Sequence, residues 1–172
     1  MDLKRFVRVI PDFPKKGVSF KDITPLLLNP TAFDAVMQAF LDYSRPKQAD
    51  LVASAEARGF IFGAAVAREL RKGFIPIRKP GKLPFKTERV EFMKEYGPDA
   101  FELHADAIVR GQKVLIVDDV LATGGTAKAI AELVEKMGGK VSGLAFLIEL
   151  NYLEGRKKLG GYDVYSVINY DC

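Results

Sequence analysis

Apolar positions follow two different periods along the chain. After Asn29-Pro30-Thr31 they recur at spacings of three and four residues, which predicts an amphipathic helix carrying Phe33 and Phe40 on one face. The same spacing predicts a helix that ends at Gly138-Gly139, and the Ala-rich residues 60–70 are also predicted to be helical. Short apolar runs without this period are typical of buried strands, and they occur at residues 51–55, 74–77, 113–117, 144–150 and 164–168.

Strands that alternate with helices predict an α/β fold. Their apolar faces are buried in an open, mainly parallel, twisted sheet flanked by helices. The length of 172 residues predicts a single domain over residues 1–172. Two segments lie outside the alternation. Residues 1–28 are expected to form a small N-terminal hood, and residues 78–100, which carry charges of both signs, are predicted to form a flexible lid loop.

Composition and charge exclude several classes of protein. No apolar run reaches the roughly 18 residues that cross a bilayer, and charges interrupt the N-terminus, so we expect a cytoplasmic protein with no membrane partner. The lone Cys172 and the lone His104 cannot build a zinc site of Cys and His ligands, so any metal ion must be held by oxygen atoms. The net charge is +4, but the basic residues are scattered and belong to no recognition helix or stacking-aromatic motif. We therefore expect no nucleic-acid partner, and a small polyanion suits the basic half of the chain.

The segment Val114–Thr126 is the most informative part of the sequence. Here an apolar strand leads into an acidic pair, a loop of small residues and the start of a helix. A loop of Ala, Thr and Gly at the end of a parallel strand lets backbone N–H groups point into a concavity, and the helix N-terminus adds partial positive charge. Such a loop binds a phosphate monoester. Asp118 and Asp119 precede it and suit ribose hydroxyls or a hydrated Mg²⁺, so the segment indicates a ribose 5-phosphate site.

Two other interpretations of this segment are a solvated acidic turn and part of a different nucleotide-binding motif. A solvated acidic turn would explain Asp118-Asp119 but not the Thr-Gly-Gly-Thr helix start. The chain contains neither G-x-x-x-x-G-K-[ST] nor G-x-G-x-x-G, so nucleoside-triphosphate hydrolysis and dinucleotide redox chemistry lose their main support.

The same segment resembles the phosphoribosyl pyrophosphate motif of the type I phosphoribosyltransferases. Four further segments resemble the adenine-using branch of that family, in family order and across almost the whole chain: Phe13–Ile23, Ala57–Gly63, Arg78–Pro84 and Glu95–Gly97. The resemblance implies transfer of a phosphoribosyl group to adenine, giving AMP and pyrophosphate in purine salvage. It also implies Mg²⁺ as cofactor, held mainly by substrate oxygens and water, and a homodimer.

The resemblance implies a phosphate or ribose contact for several residues. The 5-phosphate would be cradled by Ala122, Thr123, Gly124, Gly125 and Thr126, and Asp118 and Asp119 would face the ribose hydroxyls. The pyrophosphate would be held by the loop of Glu56, Ala57 and Arg58 and by the lid cations Arg78, Lys79 and Lys82, of the same or the neighbouring subunit. Solvation alone explains any one of the three lid cations equally well, and Arg58 taken alone is also compatible with a plain surface charge.

The resemblance places the base under the hood and a carboxylate on the lid. The purine would lie between the hood residues Phe20 and Ser19 and the strand residue Leu150, although Phe20 is equally compatible with a core position. Ser19 stands where many family members have Val, and Lys21 where many have Arg, so the identity of the base is the weaker inference. Glu95 matches the family's catalytic glutamate at the purine N7 side, and Tyr96 would help close the site; by sequence alone Glu95 resembles any solvated acid.

Two alternative functions remain open at this point. One is a related transferase that uses xanthine, hypoxanthine or guanine. The other is a non-catalytic regulator that senses phosphoribosyl pyrophosphate with the same loop; a DNA-binding version would need a helix-turn-helix domain for which the chain leaves no room. A steady-state assay with each purine separates these possibilities.

Overall fold

The computed structural model describes residues 1–94 and 97–172. The chain forms two compact units, Met1–Ala39 and Phe40–Cys172. The strands and helices, in chain order, are β1 (Arg8–Ile10), β2 (Phe20–Asp22), α1 (Thr24–Leu27), α2 (Pro30–Ser44), β3 (Leu51–Ala55), α3 (Gly59–Leu70), β4 (Gly73–Ile77), β5 (Thr87–Lys94), β6 (Gly97–His104), β7 (Lys113–Leu121), α4 (Gly125–Lys136), β8 (Lys140–Leu150) and β9 (Val164–Tyr170).

The first unit contains a short antiparallel hairpin that the sequence analysis did not predict. Strands β1 and β2 pair from Arg8 opposite Asp22 to Ile10 opposite Phe20. Three-residue strands are too short to show a clear alternation of apolar and polar positions. Helix α2 begins where the sequence predicted, because the Asn29 side chain accepts a hydrogen bond from the Ala32 N–H at 2.9 Å and caps the helix.

The second unit is built on a five-stranded parallel sheet, and the predicted α/β fold is confirmed. The strand order is β4-β3-β7-β8-β9, and every neighbouring pair is parallel. Helix α3 packs on β3 and β7, and α4 packs on β7 and β8. The central strands read as unbroken apolar runs because helices cover them; Val114–Val117 of β7 are fully buried.

The segment predicted to be a lid loop is for the most part a hairpin, which corrects the sequence analysis. Strands β5 and β6 pair antiparallel from Thr87 opposite His104 to Lys94 opposite Gly97. The alternation was present but masked by charged residues: Phe92 of β5 stacks on Phe101 of β6 with ring centroids 5.3 Å apart. Flexibility of this segment stays a prediction.

The acidic pair also lies in a different element from the one predicted. The loop was predicted to start at Asp118, whereas β7 continues to Leu121 and pairs with β8 as far as Glu149. Asp118 and Asp119 are therefore part of the sheet, and the connection to α4 is only Ala122–Gly124. Among the described residues, no helix is long and apolar enough to span a membrane.

Candidate functional site

A small cavity lies where β7 passes into α4, at the C-terminal edge of the sheet. It has a volume of about 60 Å³, and we call it the α4 cavity. Gly124, the N-cap of α4, adopts φ +80°, and within the described structure no side chain caps this helix end. The first N–H groups of α4 are thus left for a ligand. The cavity is lined by Asp118, Val120, Leu121, Ala122, Thr123, Gly124, Gly125, Thr126, Ala127 and Phe146.

The acidic pair is buried beside this cavity. Asp118 and Asp119 are 8% and 7% exposed, and the Asp119 N–H donates to Asp118 Oδ1 at 2.8 Å. Burial, together with the negative charge of Asp119, raises the pKa of Asp118 well above its ordinary value. Helix α3 approaches this carboxyl closely, because a Cβ on Gly59 would lie 2.5 Å from Asp118 Oδ1. Glycine at position 59 is therefore required by the acidic pair.

The structure brings the predicted Arg58 to the acidic pair. Its Nε donates to Asp119 Oδ2, and the side chain remains 48% exposed. Ala57 precedes it in the turn between β3 and α3, next to the cis peptide bond between Glu56 and Ala57. The turn after β3 and the end of β7 therefore lie side by side, as expected for adjacent parallel strands.

The three predicted lid residues meet at one carboxylate, Arg78 and Lys82 through their side chains and Lys79 through its backbone. Glu56 accepts hydrogen bonds from Arg78 Nε at 3.3 Å, from the Lys79 N–H at 2.7 Å and from Lys82 Nζ at 3.3 Å. Burial opposes the ionisation of Glu56, but these hydrogen bonds and the charges of Lys82 and Arg78 outweigh it, so the pKa of Glu56 lies below its ordinary value. We call these four residues the Glu56 cluster.

Sequence reasoning placed Glu56 in a loop but missed its role as shared partner. Its contacts come from residues 22 to 26 positions later in the chain, and no local pattern signals them. The Lys79 ammonium group forms an ion pair with Asp99 of β6, and its Nζ lies 4.8 Å from the Phe101 ring centroid. The Glu56 cluster is thus tied to the β5–β6 hairpin.

The predicted base contacts fall in separate units. In the first, Phe20 meets Phe13 edge to face at 5.2 Å, and Lys21 Nζ donates to Ser19 Oγ at 3.0 Å. In the second, Leu150 is the last residue of β8 and is 9% exposed. Their joint action on a purine stays a prediction.

The predicted catalytic residues, Glu95 and Tyr96, lie outside the described residues. The described hairpin nevertheless ends near the α4 cavity, because a Cβ on Gly125 would lie 3.6 Å from the Met93 carbonyl oxygen. Lys136 of α4 holds the hairpin further along, donating to the Arg89 carbonyl at 3.1 Å and pairing with Glu88 at 3.0 Å.

Comparisons with known proteins agree with this geometry. The model of the phosphoribosyl transferase domain matches residues 23–170. An adenine phosphoribosyltransferase of Thermotoga sp. (strain RQ2) is 60% identical over 99% of this chain and 100% of its own. The crystal structure of adenine phosphoribosyltransferase from Thermoanaerobacter pseudethanolicus is 52% identical, covers 98% of both chains and gives a TM-score of 0.95.

A more distant structure shows the same relationship. The Saccharomyces cerevisiae adenine phosphoribosyltransferase, solved with adenine and an imino-altritol bisphosphate, is 39% identical over 96% of both chains, with a TM-score of 0.91. Full-length matches at such identities confirm the resemblance seen in the sequence, and the chain belongs to the adenine phosphoribosyltransferases.

Proposed function

We infer that this chain transfers the 5-phosphoribosyl group of phosphoribosyl pyrophosphate to adenine, forming AMP and pyrophosphate, the reaction of purine salvage. The observation that carries this inference is the α4 cavity, which opens directly beside a buried acidic pair at the C-terminal edge of a parallel sheet. The full-length match to transferases named for adenine supports adenine as the acceptor.

The α4 cavity is proposed to hold the 5-phosphate. Backbone N–H groups from Ala122 to Thr126 supply donors, the hydroxyls of Thr123 and Thr126 can add two more, and the N-terminus of α4 contributes positive potential. Because these donors are held by the backbone, they need no rearrangement when the phosphate arrives.

The acidic pair is proposed to bind the ribose and to stabilise its developing charge. Cleavage of the glycosyl C–O bond builds positive charge on the ribose, and a carboxylate held close by lowers the energy of that state. Asp119 is paired with Arg58, and burial beside Asp119 raises the pKa of Asp118, so Asp118 ionises less readily than a free carboxyl group while both side chains offer oxygens to two adjacent hydroxyls.

The Glu56 cluster is proposed to receive the pyrophosphate. Arg78, Lys79 and Lys82 provide the positive charge, and Arg58 lies in the turn that follows the neighbouring strand β3. Glu56 neutralises part of this charge before substrate arrives. Pyrophosphate would then compete with Glu56 for the same donors, which favours its release after reaction.

Mg²⁺ is the proposed cofactor. Among the described residues, no group of three or more His, Cys, Asp or Glu side chains is arranged to hold a metal ion. The oxygen donors of Asp118 and Asp119 nevertheless suit a hydrated Mg²⁺ that is ligated chiefly by substrate phosphates. When bound, the ion would neutralise charge on the pyrophosphate leaving group.

Base binding is assigned to the hood and Leu150, and proton handling to Glu95. The proposed purine contacts are Phe20, Ser19, the backbone of Lys21 and Leu150. Glu95 would stabilise the protonated N7 edge of the purine, and Tyr96 would exclude water.

A homodimer is proposed as the working form, in which lid cations of the same or the neighbouring subunit complete each pyrophosphate site. Phosphoribosyl pyrophosphate is a polyanion that cannot cross a bilayer, so the enzyme is proposed to work in the cytoplasm, where this substrate would be made. Sedimentation of a fully active monomer at assay concentration would contradict the dimer.

Steady-state assays of the purified chain with Mg²⁺, phosphoribosyl pyrophosphate and each purine test the proposed function. We expect efficient AMP formation from adenine and kcat/KM at least about 100-fold lower for hypoxanthine, guanine and xanthine, because donors set for one pattern of ring substituents are left unpaired by another. Preference for another purine would reassign the base. Binding of phosphoribosyl pyrophosphate without turnover on any purine would instead indicate a sensor.

A further inference from the structure

The loop that forms the α4 cavity rests on a distant part of the chain. A Cβ on Gly155 would lie 2.1 Å from the Ala122 carbonyl oxygen and 2.9 Å from the Gly124 N, and a Cβ on Gly124 would lie 2.3 Å from the Gly155 carbonyl oxygen. The two backbones therefore touch with no space for a methyl group. Any displacement of Gly155 must displace the loop or open a gap behind it.

Gly155 begins a 3-10 turn, Gly155–Leu159, that we call the buttress turn. Its far end is fixed by Leu159, which is 1% exposed and belongs to the apolar core of the second unit. Its near end is preceded by Glu154, which adopts φ +53° and is exposed. The near end, which is the part that touches the cavity loop, thus needs an anchor of its own.

Arg156 supplies that anchor. Its guanidinium forks the Glu149 carboxylate, with Nε donating to Oε1 at 2.9 Å and Nη2 donating to Oε2, while Nη1 donates to the Val164 carbonyl at 2.7 Å. Ser166 Oγ donates to the same carboxylate. One side chain thus ties the turn to β8 through Glu149 and to β9 through Val164 and Ser166.

The partner of Arg156 is a buried, ionised carboxylate. Glu149 is 5% exposed; its burial opposes ionisation, but the hydrogen bonds from Arg156 and Ser166 outweigh this, and the pKa of Glu149 lies below its ordinary value. A forked pair of this kind is directional, because both guanidinium donors must meet both carboxylate oxygens. It therefore fixes the orientation of the turn as well as its distance from the sheet.

We propose that Arg156 is a positioning residue for the 5-phosphate site, acting through Gly155 on the loop Ala122–Gly124. Arg156 is absent from the described lining of the α4 cavity, so its effect on a bound phosphate is indirect. The assignment rests on the proposed function, because it requires the α4 cavity to be where the phosphate binds. It predicts that loss of the anchor lowers the affinity for ligands that carry the 5-phosphate and leaves adenine binding unaffected.

The experiment compares Arg156→Met with Lys157→Met. Lys157 is the next residue of the same turn, is exposed and pairs only with Glu154 among the described residues. For Arg156→Met we expect KM for phosphoribosyl pyrophosphate and Kd for AMP to rise about tenfold or more, with kcat and KM for adenine within about twofold of the unmodified enzyme. Lys157→Met should match the unmodified enzyme throughout. Unchanged KM for phosphoribosyl pyrophosphate in Arg156→Met, or an equal loss in both variants, would overturn the proposal.

Removing Arg156 leaves Glu149 buried without its charged partner, and the single variant can fail to fold for that reason alone. The double variant Glu149→Gln/Arg156→Met removes the buried charge while the anchor is still missing. We expect its thermal stability to recover and its AMP affinity to remain about tenfold weakened. Recovery of AMP affinity to the unmodified value would show that Arg156 only neutralises Glu149, and would overturn the positioning role. An unmodified enzyme that forms no AMP from adenine would instead contradict the proposed function.

Discussion

The α4 cavity is formed mainly by backbone atoms, whereas the Glu56 cluster is formed mainly by side chains. The cavity is a backbone structure: Gly124 has a left-handed conformation and touches Gly155, so its N–H donors have one possible arrangement. The cluster is a side-chain structure, in which Lys82 and Arg78 keep 50% and 35% of their side-chain surface exposed around Glu56. Because exposed long side chains adopt many rotamers, only the cavity has donors preset for a phosphate.

This difference matches the proposed division of labour between the two sites. The 5-phosphate stays on the ribose through the reaction, so donors fixed in place suit it. Pyrophosphate leaves, and a site whose cations return to Glu56 suits a product that must be released. The comparison therefore predicts large effects for backbone changes at the cavity and small ones for side-chain changes in the Glu56 cluster.

The largest effect is expected for Gly124→Ala. A Cβ at this position would lie 2.3 Å from the Gly155 carbonyl oxygen, so the loop must move away from the geometry proposed to bind the phosphate. We expect Kd for AMP, measured by calorimetry, to rise at least about 100-fold, since displacement of about 1 Å removes several hydrogen bonds at once.

The matched control is Gly161→Ala. Gly161 also has a positive φ, +94°, but a Cβ there would meet nothing within 4 Å. It should lower stability by about 1–2 kcal/mol through backbone strain and leave AMP affinity unchanged. Equal AMP affinity in the two variants would mean that the α4 cavity is not the phosphate site.

The next largest effect is expected for Glu95→Gln, which tests whether proton handling lies outside both sites. The variant keeps size and polarity but loses the charge that is proposed to stabilise a protonated purine edge, so kcat should fall roughly 100-fold, with little change in KM for phosphoribosyl pyrophosphate.

The hairpin provides two controls for Glu95. Glu88 pairs with Lys136 and Glu91 with Arg89, and replacing either with Gln should change kcat by less than about threefold. Near-normal turnover of Glu95→Gln at saturating adenine, with the chemical step shown to be rate-limiting, would remove Glu95 from the mechanism.

The sequence predicted the α4 cavity far better than the Glu56 cluster, and the reason is the length of chain involved. A strand, a Gly-rich loop and a helix start are contiguous, so residues 114–126 show the whole arrangement. Glu56, by contrast, meets partners 22 to 26 residues away, and Gly155 lies 31 residues beyond Gly124. Contacts between distant residues leave no local period or motif.

The hairpin was missed for a different reason. Phe92 and Phe101 obey the alternation of a strand, but the charged Arg89 and Glu91 occupy the alternate positions of β5. A two-stranded hairpin with one covered face carries charge on every second residue, which resembles a solvated loop when no pairing partner is known.

A third prediction concerns stability and uses Asp118→Asn. The pKa of Asp118 is higher in the folded protein than in the unfolded chain, so ionisation of this group lowers the stability of the fold. This loss of stability is absent below the unfolded pKa near 3.8 and grows as pH rises towards the folded pKa. At pH 7 we expect Asp118→Asn to raise the melting temperature by a few degrees and to lower activity.

Asp119→Asn is the control for that stability gain. It also removes a buried charge, but the Arg58 ion pair is lost with it, so no comparable rise in melting temperature is expected. If Asp118→Asn melts at a lower temperature than the unmodified protein at pH 7, the contacts of the Asp118 side chain stabilise the fold by more than the burial of its charge destabilises it.

A fourth prediction tests competition within the Glu56 cluster. Glu56→Gln leaves the cations in place and removes the charge that neutralises them, so Kd for pyrophosphate should fall by about two- to fivefold at pH 7. Weaker pyrophosphate binding would mean that Glu56 serves to orient the cations. Glu154→Gln, which removes an exposed carboxylate paired only with Lys157 among the described residues, should not alter pyrophosphate binding.

The smallest effect is expected in the pH dependence of stability for the same Glu56→Gln variant. The folded pKa of Glu56 lies below its ordinary value of 4.5, so its ionised form stabilises the fold above that value, and the stabilisation is lost as pH falls through the folded pKa. Because the cations around Glu56 are partly exposed, Glu56→Gln should lower the free energy of unfolding at pH 7 by no more than about 1 kcal/mol. Urea unfolding at pH 7 and at pH 3 measures it: the unmodified protein should be more stable than Glu56→Gln at pH 7, and the difference between them should be smaller at pH 3. A difference that is the same at both pH values would show that Glu56 contributes through packing, and the Glu56 cluster would then be as fixed in geometry as the α4 cavity.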